Sequence, residues 1–328
     1  MISSLYIYRS YGLDPFENLA REQVLLENGP ADGVVLYLWQ NENTVVIGRN
    51  QNAYKECRVS LLEEEGGRLA RRLSGGGAVF HDSGNLNFTF VLPREDFDVK
   101  RQLEVICRAC RAVGIPAETS GRNDLTAEGQ KFSGNAFYKN STRAYHHGTL
   151  LLNADMTKLG RYLSPPLAKL KAKGVDSVRS RVANLCDFVP ELTKDTLCAR
   201  LITAAENVYG LKAQDLRFSP DMEEKVHRLT DHYASSQWRF GANVPAAFCC
   251  EKTFAWGTVT LELLVEHDTI TKAMVYTDAM EWELSVLLSK ALEGRKFSRS
   301  DMLEGISSIE IESGIREDIA RMLAEQEI

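Results

Sequence analysis

The chain has 328 residues, 44% of them hydrophobic and 26% charged, with 39 Lys plus Arg against 45 Asp plus Glu for a formal net charge of -6. These values exclude a disordered chain, a collagen and a coiled coil, and the acidic balance excludes a basic nucleic-acid binder. No run reaches 18 apolar residues, so no membrane-spanning helix is expected. The N-terminal MISSLYIYRS has no basic segment followed by an apolar one and does not read as a signal peptide. Cys57, Cys107, Cys110, Cys186, Cys198, Cys249 and Cys250 are odd in number and irregular in spacing. Reduced thiols and a cytoplasmic location are the expectation.

A first helix is predicted from Asp14 as N-cap, with Pro15 at the first position and Glu17 completing a capping box, running to Asn28 and Gly29. Strands follow over 34–39 and 44–47, then a short helix over 59–65 stopped by Gly66 and Gly67. Residues 85–92 alternate, with Leu86, Phe88, Phe90 and Leu92 on one face and Asn87, Thr89 and Val91 on the other, as in a half-buried strand. Residues 99–113 form an amphipathic helix burying Leu103, Ile106, Cys107, Cys110 and Val113. Further strands are expected over 122–126, 130–138 and 144–152. After Pro245 the pattern changes to a hairpin of strands 254–265 and 269–276, followed by polar helices. The mixture of strands and helices favours an α+β, mixed-sheet fold. Two domains are expected, 1–243 and 244–328, the second a small α/β unit joined near residues 238–244.

Three segments carry the chemistry. In RRLSGGGAVFHDSGNLNFTF, from Arg71, the consecutive Gly75, Gly76 and Gly77 let backbone N–H groups approach an anion. Ala78, Val79 and Phe80 continue as a strand and no Gly-Lys-Ser/Thr follows, so this is not a P-loop. Arg71, Arg72 and His81 flank it with positive charge and donors. In GRNDLTAEGQKFSGNAFYKN, from Gly121, Lys131 lies in an apparent inner strand and needs either an anionic partner or solvent at a sheet edge. Asn123 and Asp124 offer an amide and an acid suited to Mg²⁺ or a hydroxyl; an ordinary turn carboxylate is the bland alternative. In HHGTLLLNADM, the adjacent His146 and His147 face opposite sides of a strand and cannot simply share a metal. Cys107-x-x-Cys110 reads as a pair of core thiols.

Together with AKGVDSVRSRVANL from Ala172 and the QWRFG segment at Gln237, these motifs resemble the lipoate–protein ligases. The resemblance implies a catalytic domain with the fold shared with biotin–protein ligases, and a C-terminal accessory domain. It implies that ATP and lipoate give lipoyl-AMP, with Mg²⁺, and that the lipoyl group then passes to a lysine of an apo lipoyl domain. Acceptors would be 2-oxoacid dehydrogenase E2 subunits or the glycine-cleavage H protein, served by a monomer with no nucleic-acid or membrane partner. Lys131 would be the central catalytic residue, with Asp124 handling a proton or Mg²⁺. Arg72, Ser74, Gly75, Gly76, Gly77, Ala78, Val79, Phe80, His81, Asn85, Asn123, His147, Gly148 and Thr149 would form the nucleotide and lipoate site. Leu150 and Phe132 are candidates to bury the lipoyl tail. Lys171, Lys173, Arg179 and Arg181 fall in a segment similar to the family's adenylate-binding loop.

An acyltransferase of the same fold using a cysteine thioester would need a Cys soon after the His147 strand, but none occurs before Cys186. The remaining alternatives are transfer from preformed lipoyl-AMP alone, a biotin ligase, and a non-enzymatic lipoate binder.

Overall fold

The computed structural model describes residues 2–121, 124–163, 182–241, 248–266 and 269–326. Its elements in chain order begin with β1 (Ser4–Arg9), α1 (Pro15–Asn28), β2 (Gly33–Trp39), β3 (Thr44–Ile47), α2 (Ala53–Glu56) and α3 (Val59–Glu64). Next come β4 (Arg68–Arg71), β5 (Val79–His81), β6 (Asn85–Pro93), α4 (Val99–Arg111), β7 (Ala117–Ser120), β8 (Asp124–Ala127), β9 (Gln130–Lys139), β10 (Arg143–Leu151) and α5 (Met156–Tyr162). Then follow α6 (Leu185–Phe188), α7 (Lys194–Tyr209), β11 (Ala213–Asp215), α8 (Pro220–Ala234) and α9 (Ser236–Phe240). The last group is β12 (Phe248–Phe254), β13 (Gly257–Glu266), β14 (Thr269–Thr277), α10 (Leu284–Leu292), α11 (Arg299–Ser307) and α12 (Ser313–Ala324).

The main sheet has eight strands in the order β11-β1-β2-β6-β10-β9-β8-β7. β1 pairs parallel with β2 and β11, and the rest of the sheet is antiparallel. A small sheet β4-β3-β5 carries the glycine segment, and β12-β13-β14 form a third sheet. This is the mixed α+β architecture expected from the pattern.

Helices cover both faces of the main sheet. Leu86, Phe88, Phe90 and Leu92 of β6 pack with Leu103 and Ile106 of α4 and Leu197 and Leu201 of α7. On the other face Val91 packs with Leu19 and Val24 of α1 and Val226 and Tyr233 of α8. The alternation in β6 therefore separates two cores; the expectation of a half-exposed strand is corrected, because all eight of its first residues are buried. Asn87 is polar where it lines a cavity, and the Thr89 hydroxyl is bonded to Glu22 and Trp39. The C-terminal strands and helices share a separate core built on Leu261, Leu263, Ile270, Leu288, Met302 and Ile319.

Asp14 caps α1 by accepting from Phe16 N and Glu17 N. Glu17 does not close a capping box; its carboxylate accepts from Arg21 one turn on. The C-terminal hairpin expected from 254 is a three-stranded meander, because β12 pairs with β13 across residues 255 and 256. The segment expected as a junction is tied down on its N-terminal side: Trp238 Nε1 donates to Arg71 O, and Arg71 donates back to the carbonyls of Trp238 and Arg239. Among the described residues, no helix is long and apolar enough to cross a membrane.

Candidate functional site

A cavity of about 210 Å³ lies between the main sheet, α1 and the glycine segment. Its floor follows from strand register. Trp39 opposes Asn87, Asn87 opposes Thr149, and Gly134 N donates to Thr149 Oγ1. One row along, Thr89 opposes His147 and His147 opposes Ala136. The cavity thus crosses from β9 to β2, three strand intervals or roughly 14 Å.

Lys131 reaches this face only because β9 carries a bulge. Leu125 opposes Ser133 while Thr126 opposes Lys131, which leaves Phe132 as an extra residue. Phe132 packs in the apolar core with Leu125. Under unbroken alternation Lys131 would share the face of Asn135, whose amide meets His146 on the apolar side at 3.0 Å. The bulge instead re-aims the ammonium onto the face of Gly134 and Thr149. There its Nζ lies 2.7 Å from Asp124 Oδ1, both side chains half-exposed.

A polar chain joins the glycine segment to the sheet. Arg72 Nε donates to Ser74 Oγ at 3.0 Å, and Ser74 Oγ lies 2.8 Å from His147 Nε2. His147 Nδ1 lies 2.9 Å from Glu22 Oε1, which also accepts from Thr89 Oγ1 at 2.6 Å; Trp39 Nε1 donates to that hydroxyl at 3.0 Å. A carboxylate only accepts, so Nδ1 carries a proton toward Glu22. Arg72 also donates to the carbonyls of Val46, Gly75 and Gly77, which holds the loop in shape. Burial lowers its guanidinium to about 10. Gly76 turns the loop at a φ of 87°, a conformation that favours glycine.

The adjacent Arg71 plays a different part. It donates to the carbonyls of Gly48, Arg49, Gln51, Trp238 and Arg239, and does not line the cavity. Its expected role as anion-binding charge is corrected to that of a clasp between segments.

Of the residues expected at the site, Arg72, Gly76, Gly77, Ala78, Val79, His81, Lys131, His147, Gly148 and Thr149 line the cavity. Ser74 supports His147 from behind, and Asn85 donates to Asn87. Gly75 packs under Ala279 and Met280. Phe80 turns into the core of the small sheet against Tyr162. Asn123 and the basic positions Lys171, Lys173, Arg179 and Arg181 lie outside the described residues. Leu150 and Phe132 belong to the core on the opposite face, so neither lines the cavity. The wall there is Leu19, Trp39 and Val46, with Met280 from the C-terminal part. These four come from distant elements, and only the tertiary fold brings them together.

The C-terminal part closes over the loop. Gly76 N donates to Ala279 O at 3.1 Å, Thr277 N to Asn50 O at 2.8 Å, and Asn50 Nδ2 to Trp282 O at 2.8 Å. The Trp282 ring stacks obliquely on Tyr138.

Among the described residues, no group of three or more His, Cys, Asp or Glu could hold a metal ion. Asp124 is a single carboxylate beside the cavity lysine. That donor set fits Mg²⁺ held chiefly by nucleotide phosphates with one protein carboxylate, since Mg²⁺ keeps few protein ligands in such sites. Cys186 is half-buried and outside the cavity, donates to Leu192 O, and its thiol is pushed up by burial. Cys107 and Cys110 are core thiols, as expected.

Residues 14–206 match the lipoyl protein ligase A/B catalytic domain, and residues 247–325 match the bacterial lipoate protein ligase C-terminus. The chain belongs to the lipoyl protein ligase family. Among solved structures, P. falciparum LipL1 in complex with lipoate is 24% identical, with 98% of this chain and 99% of that chain covered and a TM-score of 0.86. A bipartite lipoate protein ligase with its E2 lipoyl domain, from Thermoplasma acidophilum, is 26% identical over 76% of this chain and 100% of that chain, with a TM-score of 0.67. A lipoate-protein ligase A bound with ATP is 26% identical over 74% and 99% of the two chains, with a TM-score of 0.65. For this ligase-family chain, the cavity unites the three motif segments in one site.

Proposed function

We propose that the protein activates lipoate with ATP to form lipoyl-AMP and then transfers the lipoyl group to a lysine of an apo lipoyl domain. The observation that carries this reading is a cavity with an ammonium and a glycine loop at one end and an apolar wall at the other. Activation joins two anions, so fixed positive charge and oriented N–H groups lower its barrier without reorganising. In this reading the lipoate carboxylate attacks the α-phosphorus at Lys131, an acyl–phosphate bond forms and pyrophosphate leaves. The backbone of Gly77 and Ala78 faces the phosphates, and Arg72 keeps that loop in shape. The acyl chain runs under Met280 toward Leu19 and Trp39. Asp124 holds Lys131 and would supply the protein ligand to Mg²⁺, which when bound neutralises phosphate charge.

In the second step the acceptor amine attacks the acyl carbonyl and AMP leaves, with Lys131 facing the developing oxyanion. Only about one free lysine in 2,500 is neutral at pH 7, so the acceptor must lose a proton on the way. The archaeal relative described with its E2 lipoyl domain supports a lipoyl-domain acceptor of the E2 type, and the reading extends to the H protein. The ATP-bound relative supports ATP as the activating nucleotide. A monomeric cytoplasmic enzyme with domains 1–243 and 244–328 completes the reading.

The test is the mass of an apo lipoyl domain incubated with the protein, ATP, Mg²⁺ and lipoate. Lipoyl mass gain is expected. No gain with ATP and lipoate, but gain with supplied lipoyl-AMP, would replace the reading with a transferase.

A further inference from the structure

The Trp39 end of the cavity is not uniformly apolar. His81 Nε2 and Asn87 Nδ2 are both buried without a hydrogen-bond partner among the described residues, and both residues line the cavity. Asn87 lies opposite Trp39 on the neighbouring strand, and the His81 ring meets the Trp39 indole edge-on at 6.2 Å. Asn87 and His81 thus both neighbour the Trp39 side chain at the cavity wall.

The hydrogen-bond network sets which proton His81 presents. Asn18 Nδ2 donates to Asn41 Oδ1 at 3.0 Å, so the Asn41 amide turns its nitrogen to His81 Nδ1 at 3.1 Å. Tyr37 donates in turn to Asn18 Oδ1. With Nδ1 accepting, Nε2 carries the hydrogen. Burial, reinforced by Arg72 and His147, pushes the ring down to about 3, so it stays neutral. His81 thus offers one fixed N–H donor to the cavity.

A buried donor without an acceptor loses its hydration with nothing in return. Protein side chains of the cavity leave these two unmet, so an acceptor on the occupant is favoured over a methyl group. We propose that His81 Nε2–H and Asn87 Nδ2–H read the sulfur-bearing end of the acyl substrate and make the site selective for a dithiolane over a plain alkyl terminus. Sulfur is a weak acceptor and a polarizable neighbour for an aromatic ring, and Trp39 supplies that ring. An octanoyl chain of the same length would leave both donors unpaired.

This inference rests on the ligase reading and deepens it. The experiment measures kcat/KM for lipoate and for octanoate with ATP and an apo lipoyl domain, in the full chain and in Asn87→Leu and His81→Phe variants. The unsubstituted protein is expected to favour lipoate by about tenfold, from about 1.4 kcal/mol of donor pairing. In each variant the ratio is expected to fall toward one, through a rise in KM for lipoate larger than any change for octanoate. Direct binding of the two acids to Asn87→Leu, measured calorimetrically, keeps the test open if His81→Phe does not fold. A ratio that survives both substitutions, or an unsubstituted protein without preference, overturns the inference while leaving ligation intact. An unsubstituted protein that ligates neither acid overturns the ligase reading itself.

Discussion

Replacing Gly148 by alanine adds one methyl group at a close approach between β6, β9 and β10. A Cβ built there lies 2.5 Å from Asn135 Oδ1 and 2.6 and 2.8 Å from two carbons of the Phe88 ring. Carbon atoms in favourable contact sit roughly 3.5–4.0 Å apart, so the ring and the amide must each retreat by about 1 Å. Neither has room to do so. Phe88 is packed against Phe90 and His146 at centroid distances of 5.8 and 5.5 Å, and Asn135 is held by His146. Overpacking of this kind costs about 2–3 kcal/mol. At about 2–4 °C per kcal/mol for a large domain, Tm should fall by about 4–12 °C. The assay is thermal unfolding followed by circular dichroism, with Gly314→Ala as control, since nothing lies within 4 Å of a Cβ there. Because β10 also carries His147 and Thr149, KM for lipoate should rise in the same variant. A Gly148→Ala protein with unchanged Tm and KM would refute the close approach on which the cavity floor depends.

Other consequences follow from burial. His81 and His146 are each pushed to about 3 by burial, well below the ordinary 6.5. Between those values the unfolded chain binds protons that the native one excludes, so their cost is absent above about pH 6.5 and grows as pH falls, by about 1.4 kcal/mol per histidine per pH unit. Urea unfolding at pH 7 and pH 5 should show this loss, and His146→Gln should reduce it; an equal loss in the variant would contradict the buried neutral ring. Met280→Ala should raise KM for lipoate about fivefold, for about 1 kcal/mol of lost contact, with kcat little changed. Equal KM values would mean the C-terminal part does not roof the acyl chain. Cys186→Ser should ligate normally; loss of activity would revive a thioester route.

The elements were readable wherever one period held. The β3 bounds at Thr44 and Ile47 follow from an apolar run ended by Gly48, and the β6 alternation and the α4 stripe follow from apolar spacing. The glycine loop and Lys131 were legible as chemistry, because three glycines and a strand lysine each demand a partner. The face on which Lys131 lies was not, since a bulge at Phe132 reverses the simple alternation and leaves no mark in composition. The apolar wall of the cavity was not legible for a related reason. Phe132 and Leu150 are apolar neighbours of Lys131 and Thr149 in sequence, and a strand sends such neighbours to opposite faces. Trp39, Leu19 and Met280 reach the cavity from β2, α1 and the segment after β14, and long-range packing of that kind has no local signature.

The central claim is that Lys131 carries the activation chemistry. Its direct test is lipoate-dependent exchange of pyrophosphate into ATP by the Lys131→Ala protein, beside transfer from supplied lipoyl-AMP to an apo lipoyl domain. The account predicts that both are lost while the Tm stays near that of the unsubstituted protein, since the ammonium is half-exposed and paired only with Asp124 among the described residues' ion pairs. Exchange retained by Lys131→Ala would contradict it.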